Sequence, residues 1–89
     1  MSYLSRDLSV LAYANGFTLW HYTTPDTHTI VRVAGYFNAA SHMLRLGDMI
    51  LANTGVGGTP VSGIFLVNAN AGGVVDTADL TQFGAADTD

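Results

Sequence analysis

Residues 17–24 limit the possible folds more than any other part of the chain. They read Phe-Thr-Leu-Trp-His-Tyr-Thr-Thr and are followed by Pro25-Asp26, a pattern that predicts a β-strand ending in a turn. Large side chains project to both sides of such a strand: Phe17, Leu19 and His21 to one, Trp20 and Tyr22 to the other. Because a strand with one face in water alternates between apolar and polar residues, we expect both faces of this strand to be covered.

Four further segments have strand-like composition, and one segment has the pattern of a short helix. Strands are predicted over 28–34, 49–53, 61–68 and 74–77, and the helix over 38–44 with Asn38 as its N-cap. Residues 25–27 are expected to join the first two strands in a hairpin. Gly63, inside a predicted strand, marks a bulge or a close approach of another backbone. The predicted fold is mainly β: a small five-stranded antiparallel barrel or sandwich with one short helix and an N-terminal arm.

The chain is expected to hold one domain, flanked by an arm and a tail. Residues 1–15 form the arm, 16–77 the β-rich domain and 78–89 an acidic C-terminal tail. Two interpretations of the arm are equally compatible with its sequence. Leucine and alanine recur at helical spacing, whereas an extended segment wrapping a neighbour fits as well; the residues concerned are Leu4, Leu8, Leu11 and Ala12.

The chain contains no Lys, no Glu and no Cys, and its charges are three Arg and seven Asp. Charged residues make up 11% of the sequence, against about 25% in an ordinary soluble domain. The centres of protein interfaces are depleted in Lys and Glu and enriched in aromatic residues, Met and Arg. A domain of this size also has a modest core and no disulfide to support it. We therefore expect much of the surface to be covered by other protein chains.

Charge and hydropathy argue against two classes of partner. Three scattered Arg and a net charge of −4 do not form the cationic cluster that binds phosphate backbones. No apolar run approaches the roughly 20 residues that span a bilayer. The first residues lack the basic and apolar regions of a signal peptide, so we expect assembly in a cytoplasm.

Histidine, serine, glycine and acidic residues are the candidate catalytic or binding groups in the sequence. His21, His28 and His42 match no metal-ligand spacing, although His21 and His28 are expected to face each other across the predicted hairpin, with Asp26 nearby. Neither Ser41 nor Ser62 lies in a nucleophile-elbow motif. Gly55–Gly58 lack the Lys and Ser or Thr of a phosphate loop. The oxygens of Asn68, Asn70, Asp76 and Asp79 lack EF-hand spacing. We therefore predict a protein that is not an enzyme and has no metal or cofactor.

Aromatic residues and one arginine are the candidates for the core and the subunit interface. Aromatic platforms for nucleic acid need basic grooves, which this sequence lacks. Arg32 lies between two valines and is expected to pair with an Asp, within the chain or across a subunit boundary. The predicted set is Trp20, Tyr22, Arg32, Tyr36, Phe37 and Phe65.

The run Leu44-Arg45-Leu46-Gly47-Asp48-Met49-Ile50 enters a predicted strand and is followed by a glycine-rich loop and another strand. With the acidic, cysteine-free, Ala-, Gly- and Thr-rich composition, it resembles the small decoration (cement) proteins of tailed bacteriophage capsids. The resemblance implies a homotrimer on the virion surface that binds the major capsid protein and stabilises the shell. The expected capsid contacts are Tyr3, Leu4, Leu8 and Leu11. The alternatives are another virion part (a head-fibre base, a tail-tube component or a receptor-binding module), or a small soluble ligand-binding barrel or enzyme that uses the three histidines.

Overall fold

The computed structural model describes residues 3–84, and these form a mainly β structure, as predicted. The strands are β1 (Leu8–Ala14), β2 (Phe17–Thr23), β3 (Met49–Thr54), β4 (Val61–Ala71), β5 (Val74–Thr77) and β6 (Thr81–Phe83). One short helix, α1, spans His28–Val31, and two 3-10 turns span Ser5–Asp7 and Asn38–Ala40.

The strands form one mixed sheet in the order β1-β2-β3-β4-β5, with β6 also paired to β4. Strands β2 and β3 are parallel and the other neighbours are antiparallel. Residues 62–64 of β4 pair with both β3 and β6, so β6 lies on the edge of β4 away from β3. The sheet is not closed. The predicted five-stranded antiparallel barrel is therefore corrected to an open, six-stranded mixed sheet.

A hairpin occupies the predicted N-terminal arm. Strand β1 pairs with β2 from Leu8 opposite Tyr22 to Ala14 opposite Phe17. The turn between them is Asn15-Gly16, with φ values of 51° and 86°. Asn and Gly tolerate positive φ, and this combination matches the twist of a two-residue hairpin. Residues 8–14 are thus neither a helix nor a free arm, and the expected boundary at residue 15 falls inside a hairpin.

The connection from β2 to β3 corrects two predicted elements. Residues 28–34 do not form a strand: α1 and turns lie there, because β1 and β3 already occupy both edges of β2. Residues 38–44 form a 3-10 turn and further turns rather than an α-helix. Asn38 does not cap it; its Oδ1 accepts a hydrogen bond from the Val75 amide at 2.9 Å. The parallel pair β2–β3 requires such a crossover, whereas a hairpin joins only antiparallel strands.

The other predicted strands agree with β3, β4 and β5 to within a few residues. The close backbone approach predicted at Gly63 is confirmed, since a Cβ there would clash with the Thr81 carbonyl oxygen. Residue 81 begins β6, so part of the predicted tail belongs to the sheet. Residues 1–2 of the predicted arm and 85–89 of the predicted tail lie outside the described residues.

The core lies between one face of the sheet and the β2–β3 crossover. Its buried apolar residues come from β1 to β5 and from the crossover: Leu8, Trp20, Tyr22, Val31, Phe37, Ala40, Leu44, Ile50, Ala52, Phe65, Val67 and Val75. Asp48 is buried at the start of β3, and its carboxylate accepts three hydrogen bonds. The donors are the Thr18 amide, the Trp20 indole Nε1 and the Arg45 amide, at 3.0, 3.1 and 3.1 Å. This carboxylate joins the crossover to β2 and β3.

Candidate protein-binding surface

On the three central strands, β2, β3 and β4, the face of the sheet opposite the core is uncharged, and we call this part the open face. It consists of alternate residues of the central strands: Phe17, Leu19, His21 and Thr23 of β2, Met49, Leu51 and Asn53 of β3, and Ser62, Ile64 and Leu66 of β4. Their neighbours in sequence, such as Trp20, Ile50 and Phe65, are buried in the core. Six of the ten open-face residues are large and apolar, and none is Asp or Arg.

Among residues 3–84, no element packs over the open face. The crossover contributes its buried residues to the core on the opposite side of the sheet. Met49 and Leu66, paired across β3 and β4, are 38% and 40% exposed, and the other eight open-face residues are half-buried. On β2 the open-face residues are half-buried within the single chain, so the expectation that both faces of this strand are covered stays a prediction that requires another protein chain. Exposed contiguous apolar patches of this kind mark interaction sites.

Strand register makes the apolar part of the open face continuous. Leu19 lies opposite Met49, which lies opposite Leu66, and so forms one row across three strands. In the next row Leu51 lies opposite Ile64. Neighbours in such rows are close enough for their side chains to pack together.

A polar cluster occupies one end of the open face, and its members satisfy one another. The Ser62 hydroxyl donates to Asn53 Oδ1 at 2.7 Å. Asn53 Nδ2 lies 3.3 Å from His21 Nε2 and donates to it, which places the proton of a neutral imidazole on Nδ1. Thr23 Oγ1 lies 3.4 Å from the same nitrogen. Asn53 separates Ser62 from His21, so the cluster lacks the direct serine–histidine hydrogen bond of an activated nucleophile.

Strand β1 exposes a second apolar surface, which we call the β1 patch: Val10, Leu11 and Tyr13, at 55%, 52% and 64% exposure. β1 pairs only with β2 among the described strands, so it is an edge of the sheet. The register shifts between Val10 and Ala12, which makes Leu11 the extra residue of a bulge. A bulge both twists an edge strand and redirects its side chains.

The predicted capsid contacts fall into two groups. Leu4 and Leu11 are exposed, at 41% and 52%. Tyr3 is half-buried, with its ring stacked on Tyr22 at a centroid distance of 5.7 Å, and Leu8 is buried in the core. The side chains of Tyr3 and Leu8 therefore pack within the chain, and the contact surface that we propose below does not include them.

Four of the predicted interface residues are buried inside the single chain: Trp20, Tyr22, Phe37 and Phe65. Tyr36 is half-buried and packs edge-on against Phe37, with ring centroids 4.9 Å apart. Arg32 pairs with Asp79 at 3.2 Å, so its predicted Asp partner lies within the chain. Arg32 lies at the end of α1 rather than inside a strand, and the pair is exposed to solvent.

A chain of hydrogen bonds runs through the aromatic cluster to a buried carboxylate. The Leu4 amide donates to the Tyr22 hydroxyl at 3.2 Å, and the Tyr36 hydroxyl donates to Asp26 Oδ2 at 2.7 Å. The two hydroxyls are 2.9 Å apart, and because Tyr36 gives its proton to Asp26, Tyr22 donates to Tyr36. Burial, followed by the hydrogen bonds to Tyr22 and Asp26, raises the pKa of Tyr36 far above its ordinary value. These groups hold the N-terminal segment and the crossover against the sheet.

The chemical candidates in the sequence are dispersed. His21 lies on the open face, His28 begins α1 and His42 is exposed in a turn; the hairpin expected to pair His21 with His28 does not form. Asn70 Nδ2 donates to the carbonyl oxygens of Ser41 and Leu44. Within residues 3–84, no three His, Cys, Asp or Glu side chains lie close enough together to hold a metal ion.

Within residues 3–84, no helix has the length and apolarity needed to cross a membrane.

No protein-family model matches the chain, and neither a curated protein nor a solved structure matches it. The open face and the β1 patch are therefore the features from which we infer a function.

The sequence indicated the composition of these surfaces but not their position. The side chains on both sides of 17–24 were identified, yet the arrangement that leaves one side uncovered depends on the crossover. The β1 patch was missed apart from Leu11. Its signal was the Asn15-Gly16 turn, which favours a hairpin whose first strand precedes it.

Proposed function

We propose that this protein is a structural, non-enzymatic subunit of a larger protein assembly. The observation that carries the proposal is the open face: an uncharged, largely apolar sheet surface that no element of residues 3–84 covers. The absence of Lys and Glu supports the same conclusion, since these residues keep free surfaces solvated and resist association.

The assembly that we propose is a bacteriophage capsid, with the chain as a decoration subunit, in the form of a homotrimer, on the shell of the major capsid protein. Its support is the resemblance of composition and of residues 44–50, together with the two uncovered apolar surfaces. The shell contact that we assign consists of the β1 patch and Leu4. Many copies on a shell reinforce one another, so each contact can be weak.

Particle composition tests this function. We expect quantitative mass spectrometry of purified virions to find the chain in a copy number of the same order as the major capsid protein. Absence from particles, or a handful of copies per particle as in a tail part, would contradict the decoration role.

A point variant tests the assigned shell contact. Deleting the first twelve residues is unsuitable, because Leu8 is buried in the core and Tyr3 packs against it. Leu11→Lys changes an exposed bulge residue instead, and we expect it to weaken rebinding to shells stripped of the protein while leaving folding unchanged. The matched control is Val33→Lys, at a 57% exposed crossover position. Equal rebinding of both variants would remove the β1 patch from the contact.

A further inference from the structure

We propose that the open face packs against the open face of another copy of this chain, making the protein a closed homo-oligomer through this surface. The inference depends on the proposed structural role and names the partner of one of its two surfaces. Sheets that pack face to face interdigitate their side chains about 10 Å apart. Two copies would form a sandwich and three a prism around a threefold axis, and both arrangements cover the same residues.

Charge favours a second copy as the occupant. Each chain carries a net charge of −4, yet none of its Asp or Arg residues belongs to the open face. Two open faces therefore meet without placing like charges opposite each other. A partner with a charged contact surface would have to bury its charges without an opposite charge to pair with, which is costly.

The polar groups of the open face can also be buried at low cost, because they already have hydrogen-bond partners within the chain. Ser62, Asn53, His21 and Thr23 already bond to one another within the chain. Buried polar groups are costly when they lose their partners, and these keep theirs. The face thus requires from its partner mainly an apolar surface, and another open face provides one.

The size of the open face suits a weak self-association. Three strands spaced about 4.8 Å apart and about six residues long at about 3.3 Å each give an area of about 290 Å² per copy. Two such faces bury about 600 Å², which is less than in a standard specific interface and is typical of a weak one. We therefore expect an oligomer that forms only at high concentration, or where many copies are held side by side on a shell.

The experiment measures molar mass by light scattering over a range of concentrations for the full chain and two variants. Leu66→Lys and Met49→Lys place a cation on the open face at positions 40% and 38% exposed, where the single chain can still solvate it. We expect the unaltered chain to form a dimer or trimer, and each variant to raise its dissociation constant by roughly 100-fold or more, because the cation would be buried unpaired. The control Val33→Lys should oligomerise like the unaltered chain, and circular dichroism checks that all variants fold.

A monomer at every concentration, or an oligomer insensitive to both open-face variants, would overturn the inference. Incorporation into virions separates this failure from failure of the proposed function. If the chain is monomeric but still found in particles, the proposed structural role stands and the proposed contact between copies is wrong. If Leu66→Lys removes a monomeric chain from particles, the open face belongs to the shell contact, and the inference is equally overturned.

Discussion

Replacing Asp48 by alanine tests how the crossover is held to the sheet. The side chain is 1% exposed and accepts hydrogen bonds from the Thr18 amide, the Trp20 indole and the Arg45 amide. The indole donor is left buried without a partner, at a cost of about 1–3 kcal/mol. The two backbone donors are partly buried, and water compensates them in part, so we assign each about half of that range. The expected loss is about 2–6 kcal/mol of unfolding free energy, a large fraction of the roughly 4–13 kcal/mol typical for this length.

Asp48→Asn keeps the size of the side chain and changes its hydrogen-bonding groups, so it separates the contribution of the hydrogen bonds from that of the side chain as a whole. An amide has one acceptor oxygen, whereas both carboxylate oxygens accept bonds here, so at least one donor would face an NH2 group. We expect a loss between those of the native chain and Asp48→Ala.

Asp79→Ala provides the control for charge removal. It breaks the exposed pair with Arg32, in which Asp79 is 80% exposed, and should change stability by no more than about 0.5 kcal/mol. Urea unfolding followed by far-ultraviolet circular dichroism measures all three variants. If Asp48→Ala costs no more than Asp79→Ala, the assigned role of the buried carboxylate is wrong.

Three further predictions concern the aromatic cluster and the sheet edge. Tyr36→Phe removes a bond to a carboxylate and a neutral bond to Tyr22, so it should destabilise the protein by about 2–4 kcal/mol. Tyr22→Phe removes two neutral bonds, to the Leu4 amide and to Tyr36, and should cost about 1–3 kcal/mol. Equal losses in urea melts would refute this order. The raised pKa of Tyr36 favours the protonated phenol in the folded state, so its contribution to stability is complete below about pH 10. Above about pH 10 the contribution declines, because the unfolded chain loses the proton first. The urea midpoint should therefore fall less steeply with increasing pH in Tyr36→Phe than in the unaltered chain, and parallel curves would contradict the assignment. Gly63→Ala should lower the free energy of unfolding by about 1–3 kcal/mol, because the added Cβ would meet the Thr81 carbonyl. The amide of residue 81 should exchange its hydrogen faster in this variant. Unchanged exchange rates would show that β6 does not pack against Gly63.

Much of the sheet could be predicted from local patterns. β3, β4 and β5 lie where β-branched and apolar residues are bounded by glycine-rich turns. β1 was obscured because the bulge at Leu11 breaks its alternation, so that its apolar spacing is also compatible with a helix. The segment 28–34 has strand propensity, but both edges of β2 are filled by β1 and β3. Pairing of this kind is decided by the whole sheet and not by the segment.

The candidate surfaces were less predictable than the strands. The sequence showed that 17–24 carries large groups on both sides, which led to the expectation of two covering layers. The structure shows that the crossover covers the side of Trp20 and Tyr22 and leaves the side of Leu19 uncovered. The predicted interface residues were the largest aromatic ones, and these also gain most from burial in the core of their own chain. An interface formed by medium-sized residues such as Leu51 and Ile64 has no sequence signal of its own.

Photo-crosslinking from position 66 shows whether the open face binds a second copy of the chain. We predict that Leu66→p-benzoylphenylalanine, irradiated within purified particles, crosslinks in high yield to a second copy of the chain, whereas the same group at the crossover position Val33 does not. A chain that stays uncrosslinked at position 66 in intact particles, or that crosslinks there only to a different protein, would contradict the proposed contact between copies.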